Sequence, residues 1–264
     1  MAARRPGVTK GPALFARYAY PPNALGYCGP TDHAALLGAS SGEGDLGELA
    51  HLATRFEGAW PYLELIAGCN GIADPLDARV VGAYWVGNAL LDGVPAEALA
   101  ASLDQRFARR AARNSPEIVA AIGNGGVAHH SFHVFAVYPW LGLLRSGMEG
   151  PALRVLDRCR IRWGRVEAVG DDTVAVTNRT LTFHGDRLVL GAARLEGARR
   201  ALDGVGILAD LAVGDVVSLH WDWVCERLSP ARLAALRRTT ARNLAAVNAS
   251  PRPGPLVAAN TWGG

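Results

Sequence analysis

The chain changes its apolar rhythm once, and that change limits what it can fold into. Up to about residue 148 the apolar residues recur at helical spacing between Gly/Pro turns. After Gly147-Met-Glu-Gly-Pro151 they come in short β-prone runs at 166–169, 174–176, 181–183 and 188–190. Gly170-Asp171-Asp172 and Gly185-Asp186 supply turns between those runs. The expectation is an α+β protein: an all-α domain over residues 1–149, then a small β-barrel with a C-terminal helix over 150–264.

Within the first part, 13–20 is a short apolar helix that Pro21-Pro22-Asn23 should stop. Asp45 can cap a helix carrying Leu46, Leu49, Leu52, Ala53 and Phe56 on one side. Asp74-Pro75 has the cap-then-proline order of a helix start. A helix from Pro95 to Ala112 ends in Arg106, Arg109, Arg110 and Arg113, which suit the negative end of a helix dipole and read as a solvated face. In the second part, 191–206 is Ala/Arg-rich, either a helix or an excursion, and 208–220 returns to strand. Ser229-Pro230 opens the last helix, with Leu233, Leu236, Thr240, Leu244 and Val247 along one side.

Half of the 264 residues are apolar, which excludes a disordered chain. A formal charge of +3 is too small to imply nucleic acid, and Lys10 is the single lysine, so arginine carries nearly all the positive charge. No stretch reaches the roughly 18–20 apolar residues that span a bilayer. The N-terminus has no continuous apolar core of a secretory signal, so a cytoplasmic protein with no membrane partner is expected. Cys28, Cys69, Cys159 and Cys225 form no CxxC pair and are expected as thiols in a reducing compartment.

Cys159 opens the β-rich segment in Cys159-Arg-Ile-Arg-Trp-Gly-Arg-Val166. His220 closes it in Gly214-Asp-Val-Val-Ser-Leu-His220. A thiolate beside an imidazole suits iron, copper or zinc. It equally suits a cysteine nucleophile with its base. Two ligands fall short of the four of a structural zinc site. A second candidate is His129-His130-x-x-His133. On a helix, His129 and His133 would share one face and could chelate a metal, while His130 would point elsewhere; the Gly/Asn-rich lead-in and Val134-Phe135 equally suit the start of a strand, where that spacing would not hold. It lacks the glutamate of a HExxH helix. A third is Cys28 in Gly-Tyr-Cys-Gly-Pro, with Asn23, Asp32 and His33 nearby. A cysteine before a helix N-terminus could have a lowered pKa and act as a catalytic nucleophile. Cys225 is expected under the last helix. Trp221 and Trp223 would either contact a partner protein or seal the barrel.

The segment 155–248 resembles the HypC/HupF family of hydrogenase maturation chaperones. Cys159, Gly164, Arg165 and Val166 match the family's opening Cys-x-x-x-Pro-Gly-Lys/Arg-Val motif. Gly214, Asp215, Val217 and His220 match its closing strand, and Glu226, Arg227 and Leu228 the start of the helix after it. Trp163 replaces the family's proline, and Cys159 lies inside the chain rather than at an amino terminus. The interval between the motifs is longer, with an insertion around 177–205.

The resemblance implies a small HypC-like, OB-type barrel. It implies a metallochaperone that holds iron transiently, as an Fe(CN)2(CO)-type fragment, through Cys159 and His220. It would pass the fragment from a HypD-like scaffold protein to a nickel–iron hydrogenase large-subunit precursor. Two other readings stand beside it. In one, the helical part is a cysteine- or metal-dependent enzyme, working on a ligand precursor of the same iron centre. In the other, the barrel is a docking module in which the thiol plays no part.

Overall fold

Helix α1 (Gly11–Ala24) is buried along nearly its whole length, through Leu14, Phe15, Ala16, Tyr18, Ala19 and Tyr20. A helix apolar on every side belongs in a core, and this one packs against α2, α3, α5, β6 and β7. The structure is a computed structural model, describing residues 10–41, 45–107, 116–202, 205–208 and 210–250. The prolines expected to stop α1 lie inside its last turn. The stop is Gly26, at φ +74°. Its N–H reaches Asn23 O, and the Tyr27 N–H reaches back to Pro22 O, a glycine C-cap of the Schellman type.

Helices α2 (His33–Ser41), α3 (Leu46–Thr54), α4 (Trp60–Cys69) and α5 (Ala78–Trp85) follow. Asp45 caps α3 as its position suggests, accepting the Gly47 N–H at 2.7 Å. Asp74 does not cap α5. It turns the chain onto the Leu76 N–H, and Asp77 is the cap, accepting from Arg79 N. A 3-10 turn (Ala89–Gly93), α6 (Ala96–Phe107) and α7 (Pro116–Gly123) come next. Arg106 is not a solvated charge: its guanidinium lies 4.2 Å from the Tyr62 ring centre. Arg109, Arg110 and Arg113 lie outside the described residues. The one-turn helix α8 (His130–Phe132) runs straight into a π-helical turn (His133–Val137), followed by α9 (Trp140–Arg145) and α10 (Glu149–Cys159).

The fold is α+β. Strands β1 (Arg162–Val169), β2 (Thr173–His184), β3 (Arg187–Arg199), β6 (Val216–His220) and β7 (Trp223–Arg227) form one sheet, and β4 (Ala201–Leu202) pairs β5 (Val205–Gly206) apart from it. The sheet order β1–β2–β3–β7–β6 returns to β1, so the sheet closes on itself. Its ring is joined at β3–β7 by the single pair Arg199↔Trp223. Gly185 and Asp186, both at positive φ, make the two-residue turn between the long strands β2 and β3. Residues 191–199, expected as a helix or an excursion, are strand: β3 stays paired with β2 as far as Arg199.

Inside the sheet lies a small aliphatic core of Val166, Val174, Val176, Ala198, Val217, Leu219 and Val224. The larger core runs without a break from the helices into Leu181, Leu188, Trp221, Trp223 and Cys225. The change from helix to strand falls at residue 160, because α10 carries the helical part to Cys159. The last helix, α11 (Pro230–Ala249), starts at its Ser229 cap. It docks on the helical part, where Asn243 accepts the Val127 N–H and donates to the Ser131 hydroxyl.

Candidate metal centre at the seam of helices and strands

Cys159 is the last residue of α10 and His220 the last of β6. Because β1 pairs β6 with Arg162 opposite Leu219, the residues flanking that pair come together at one end of the sheet. The helical part adds His130 from α8. One ligand atom from each of His130, Cys159 and His220 lies within 4.8 Å of the others, and all three residues are buried. Among the described residues this is the one group of at least three such side chains close enough to share a metal ion.

Each histidine is oriented by a backbone carbonyl or a ring. His220 Nδ1 donates to Tyr18 O at 2.6 Å. That carbonyl would ordinarily serve the N–H of residue 22, but residue 22 is proline and has none. With Nδ1 so engaged, His220 Nε2 carries the lone pair. It is fully buried and has no partner. His130 Nε2 lies 2.8 Å from Cys159 O and 3.9 Å from Cys159 Sγ. Its Nδ1 meets the Tyr84 hydroxyl at 3.1 Å, and that hydroxyl also reaches Gly58 O at 3.1 Å. Cys159 O can only accept, so His130 Nε2 carries the proton here and Tyr84 donates to the bare Nδ1; a metal at Nε2 requires the other tautomer, with Nδ1–H donating to Tyr84 and Tyr84 donating to Gly58 O. Such outer partners fix ring orientation in metal sites. The His130 and His220 rings stand 5.0 Å apart, and Trp85 walls both, at 4.6 and 5.6 Å.

Burial sets the charges. It lowers the His130 pKa to about 4 and holds His220 well below its ordinary value, with His130 adding to the latter effect. Both rings are neutral at pH 7: His220 offers its Nε2 lone pair as it stands, and His130 offers one at Nε2 once its proton sits on Nδ1. Burial first, and the nearby Cys28 second, push the Cys159 thiol up, against an opposing pull from Trp221. The thiol keeps its proton until a cation displaces it, as metals do at coordinating thiols.

The matched glycines explain the local geometry. A Cβ on Gly164 would sit 2.4 Å from Val176 Cγ1 and 2.7 Å from Thr177 O, so β1 and β2 approach only with glycine there. Gly214, at φ +95°, lets its N–H reach Val166 O while Asp215 O accepts from Val166 N. Asp215 also pairs with Arg227 at 2.9 Å. The Gly-Asp pair thus pins β6 against its neighbours. Arg162, fully buried, bonds Glu196 and the Trp221 carbonyl, holding Trp221 at φ +50° directly after His220. Leaving its guanidinium without that carboxylate would strand a buried charge.

The other expected site residues fall elsewhere. His129 and His133 do not share a helix face with a metal between them. His129 is the cap before α8, its Nδ1 accepting the Ser131 N–H at 3.0 Å, and its pKa is lowered to about 3, chiefly by burial. His133 opens the π turn, 3.3 Å from the Tyr62 hydroxyl and against the Tyr138 ring. His130, the ring expected to point away, is the one that joins the cluster. The helix begins one residue later than the spacing argument assumes and then widens, so the i, i+4 relation does not apply. Cys28 precedes α2 as expected, yet its thiol is not activated: burial raises it to about 12. No histidine among the described residues hydrogen-bonds its sulfur, and Asp32 and His33 are exposed. Cys225 is buried against Trp223 O, and Cys69 ends α4 in solvent. Trp221 and Trp223 are no docking patch. Both are buried, stacked on Tyr27 and edge-on to Tyr20 at 4.3 and 5.1 Å, and they seal the strands to the helices.

The α+β fold buries one thiol and two imidazoles where its helical and strand parts meet, close enough together to share a metal ion. The chain belongs to the family of unknown function DUF6390, whose family model covers residues 7–253. No curated protein and no solved structure matches it.

Proposed function

We propose that this protein is an assembly factor of the HypC kind, taking an Fe(CN)2(CO)-type iron fragment as cargo for a nickel–iron hydrogenase large-subunit precursor. What carries the reading is the meeting of Cys159 and His220, remote in sequence and matched to the HypC/HupF motifs, at one buried point. The closed sheet followed by a helix is what an OB-type, HypC-like barrel requires. The donor set suits the cargo. A thiolate is a strong soft donor, and two neutral imidazoles complete a set of two nitrogens and one sulfur that leaves positions for diatomic ligands. His220 Nε2 is buried without a hydrogen-bond partner, as are His129 Nε2 and His133 Nε2 outside the cluster, so its place beside Cys159 and His130 supports the reading more than its lack of a partner. A HypD-like scaffold is the donor partner in this reading, and the cytoplasm its place. No described helix is long and apolar enough to cross a membrane. Catalysis by Cys28 has no support from its raised thiol.

The test is anaerobic purification from cells assembling a nickel–iron hydrogenase, followed by infrared spectroscopy and iron analysis. Cyanide and carbon monoxide bands that vanish in Cys159→Ala and in His220→Ala are expected. Iron without those bands, or bands that persist in both variants, overturns the reading.

A further inference from the structure

Between two ties, the outer edge of β3 stands open. At its start, the Leu188 N–H and C=O are both taken by the Asn248 side chain, at 2.9 and 2.8 Å, so the end of α11 covers the edge there. At its end, the Arg199 N–H reaches Asp222 O, where β3 meets β7 through the single pair Arg199↔Trp223. Between these ties β3 pairs only with β2, on its other side. Backbone groups alternate in direction along an antiparallel ladder. The register with β2 is unbroken from Arg199 back to Ala193. The N–H and C=O of Ala193, Leu195 and Gly197 therefore point away from β2, as the Arg199 N–H does. Among the described residues no backbone group pairs with them. The gap is long enough for a strand of about five residues, and unpaired edges of this kind are what added strands recognise.

The edge is apolar at its centre and positive around it. Leu195 is 65% exposed, and a Cβ on Gly197 would meet nothing within 4 Å. Arg187, Arg194 and Arg199 are all exposed, and among the described residues no ion pair holds them. Glu196 is the one acidic residue of the strand, and Arg158 and Arg162 engage it. Charges that only guard an edge would not leave a bare leucine among them. Two copies of β3 laid edge to edge would bring arginines together, which disfavours a second copy as the occupant. We propose that the open edge of β3 is a docking site for an extended, acidic segment of a partner protein, which adds to the sheet as a further strand. The segment's main chain takes the free groups of Ala193, Leu195 and Gly197. An apolar side chain lies against Leu195, and carboxylates reach Arg199 on that face and Arg194 on the other. The proposal does not depend on the metal centre.

The probe is a displayed library of random peptides about seven residues long, selected on the full chain at low salt. The captured peptides are expected to alternate acidic with apolar residues and to lose affinity as salt is raised. Leu195→Pro removes one outward N–H without touching the β2 ladder, and should weaken binding by at least about tenfold. Arg194→Glu should weaken it as well and, when the selection is repeated on it, should capture basic peptides instead. A misfolded strand would not give that reversal. Capture of no peptide, captured peptides without acidic residues, or equal binding to Leu195→Pro overturns the proposal. So does a wild-type dimer, seen by analytical ultracentrifugation, that Leu195→Pro turns into a monomer, because the edge would then belong to a second copy.

Discussion

The strand part and the helical part of this molecule feed the same cluster by different means. The strand part does it through register. Once β1 lies against β6 with Arg162 opposite Leu219, Cys159 and His220 have nowhere else to be. The helical part does it through packing. His130 reaches the cluster because α8 lies beneath α11, with Asn243 tying Ser131 down, and because Trp85 and Tyr84 leave one slot for its ring. Pairing rules are written locally in a sequence; packing slots are not. The two parts should accordingly fail differently when cut.

The widest gap is expected in metal affinity. Cys159→Ala should abolish cobalt binding, since it removes the one soft donor at the centre. His130→Ala should weaken it by at least about a hundredfold, the upper end of what outer partners alone contribute. His129→Ala and His133→Ala should leave it at the wild-type value after any loss of stability is accounted for. Isothermal titration of the four variants checks this. Equal losses at His129 and His130 would mean that the helical part contributes general packing and not a ligand.

That contrast also marks how much can be read from residues alone. The switch to strands, the Gly185-Asp186 hairpin, the Ser229 cap and the pairing of Cys159 with His220 rest on local rules: turn residues, capping chemistry and two motifs at either end of one sheet. The His130 contribution rests on where α8 starts and on a π turn, which residue spacing does not encode. The prolines carry a signal that a helix-stop rule misassigns. Pro22 marks less the end of a helix than a carbonyl set free four residues earlier, and Tyr18 O is the one His220 needs.

Stability should divide the parts next. Gly164→Ala places a methyl group against Val176 and Thr177 O at contacts no side chain tolerates, so about 1–3 kcal/mol should be lost. Denaturant unfolding reads this as a lower midpoint. If the loss is confined to the sheet, proteolysis will release the strand part while α1 to α7 stay protected. Simultaneous loss of both would show that the continuous core makes one cooperative unit.

Acid should act on both parts, because burial lowers His129, His130 and His133 in the helical part and His220 on β6. His129 and His130 have folded pKa values lowered from 6.5 to about 3 and about 4. The unfolded chain therefore binds more protons in between, and stability rises with pH there. Full stability is expected above about pH 6.5. Below it, each ring removes about 1.4 kcal/mol per pH unit, until pH falls through about 4 for His130 and about 3 for His129. His129→Gln should flatten that slope without touching the metal donors. Unfolding free energies measured from pH 7 to pH 4.5 decide it: a flat profile in the wild type would mean that these rings are reached by water.

The smallest expected effect bears most directly on how the two parts cooperate. Pro22→Ala returns an N–H four residues after Tyr18 and lets helix α1 reclaim the carbonyl that His220 Nδ1–H now uses. A carbonyl has two lone pairs, so the bond to His220 is weakened more than abolished. The ring then loses part of its preference for the Nε2 lone pair, and cobalt affinity should fall about tenfold, the lower end for an outer partner. Global stability should hold, because a proline in the last helical turn is replaced by a residue with better helix propensity. Pro21→Ala is the internal control: its new N–H points at the Arg17 carbonyl, which serves no ligand of the cluster, so affinity should not change. The nitrogen resonances of His220 report the tautomer directly. A Pro22→Ala protein with unchanged resonances and unchanged affinity would show that β6 alone sets the His220 ring, and that α1 only fills space behind it.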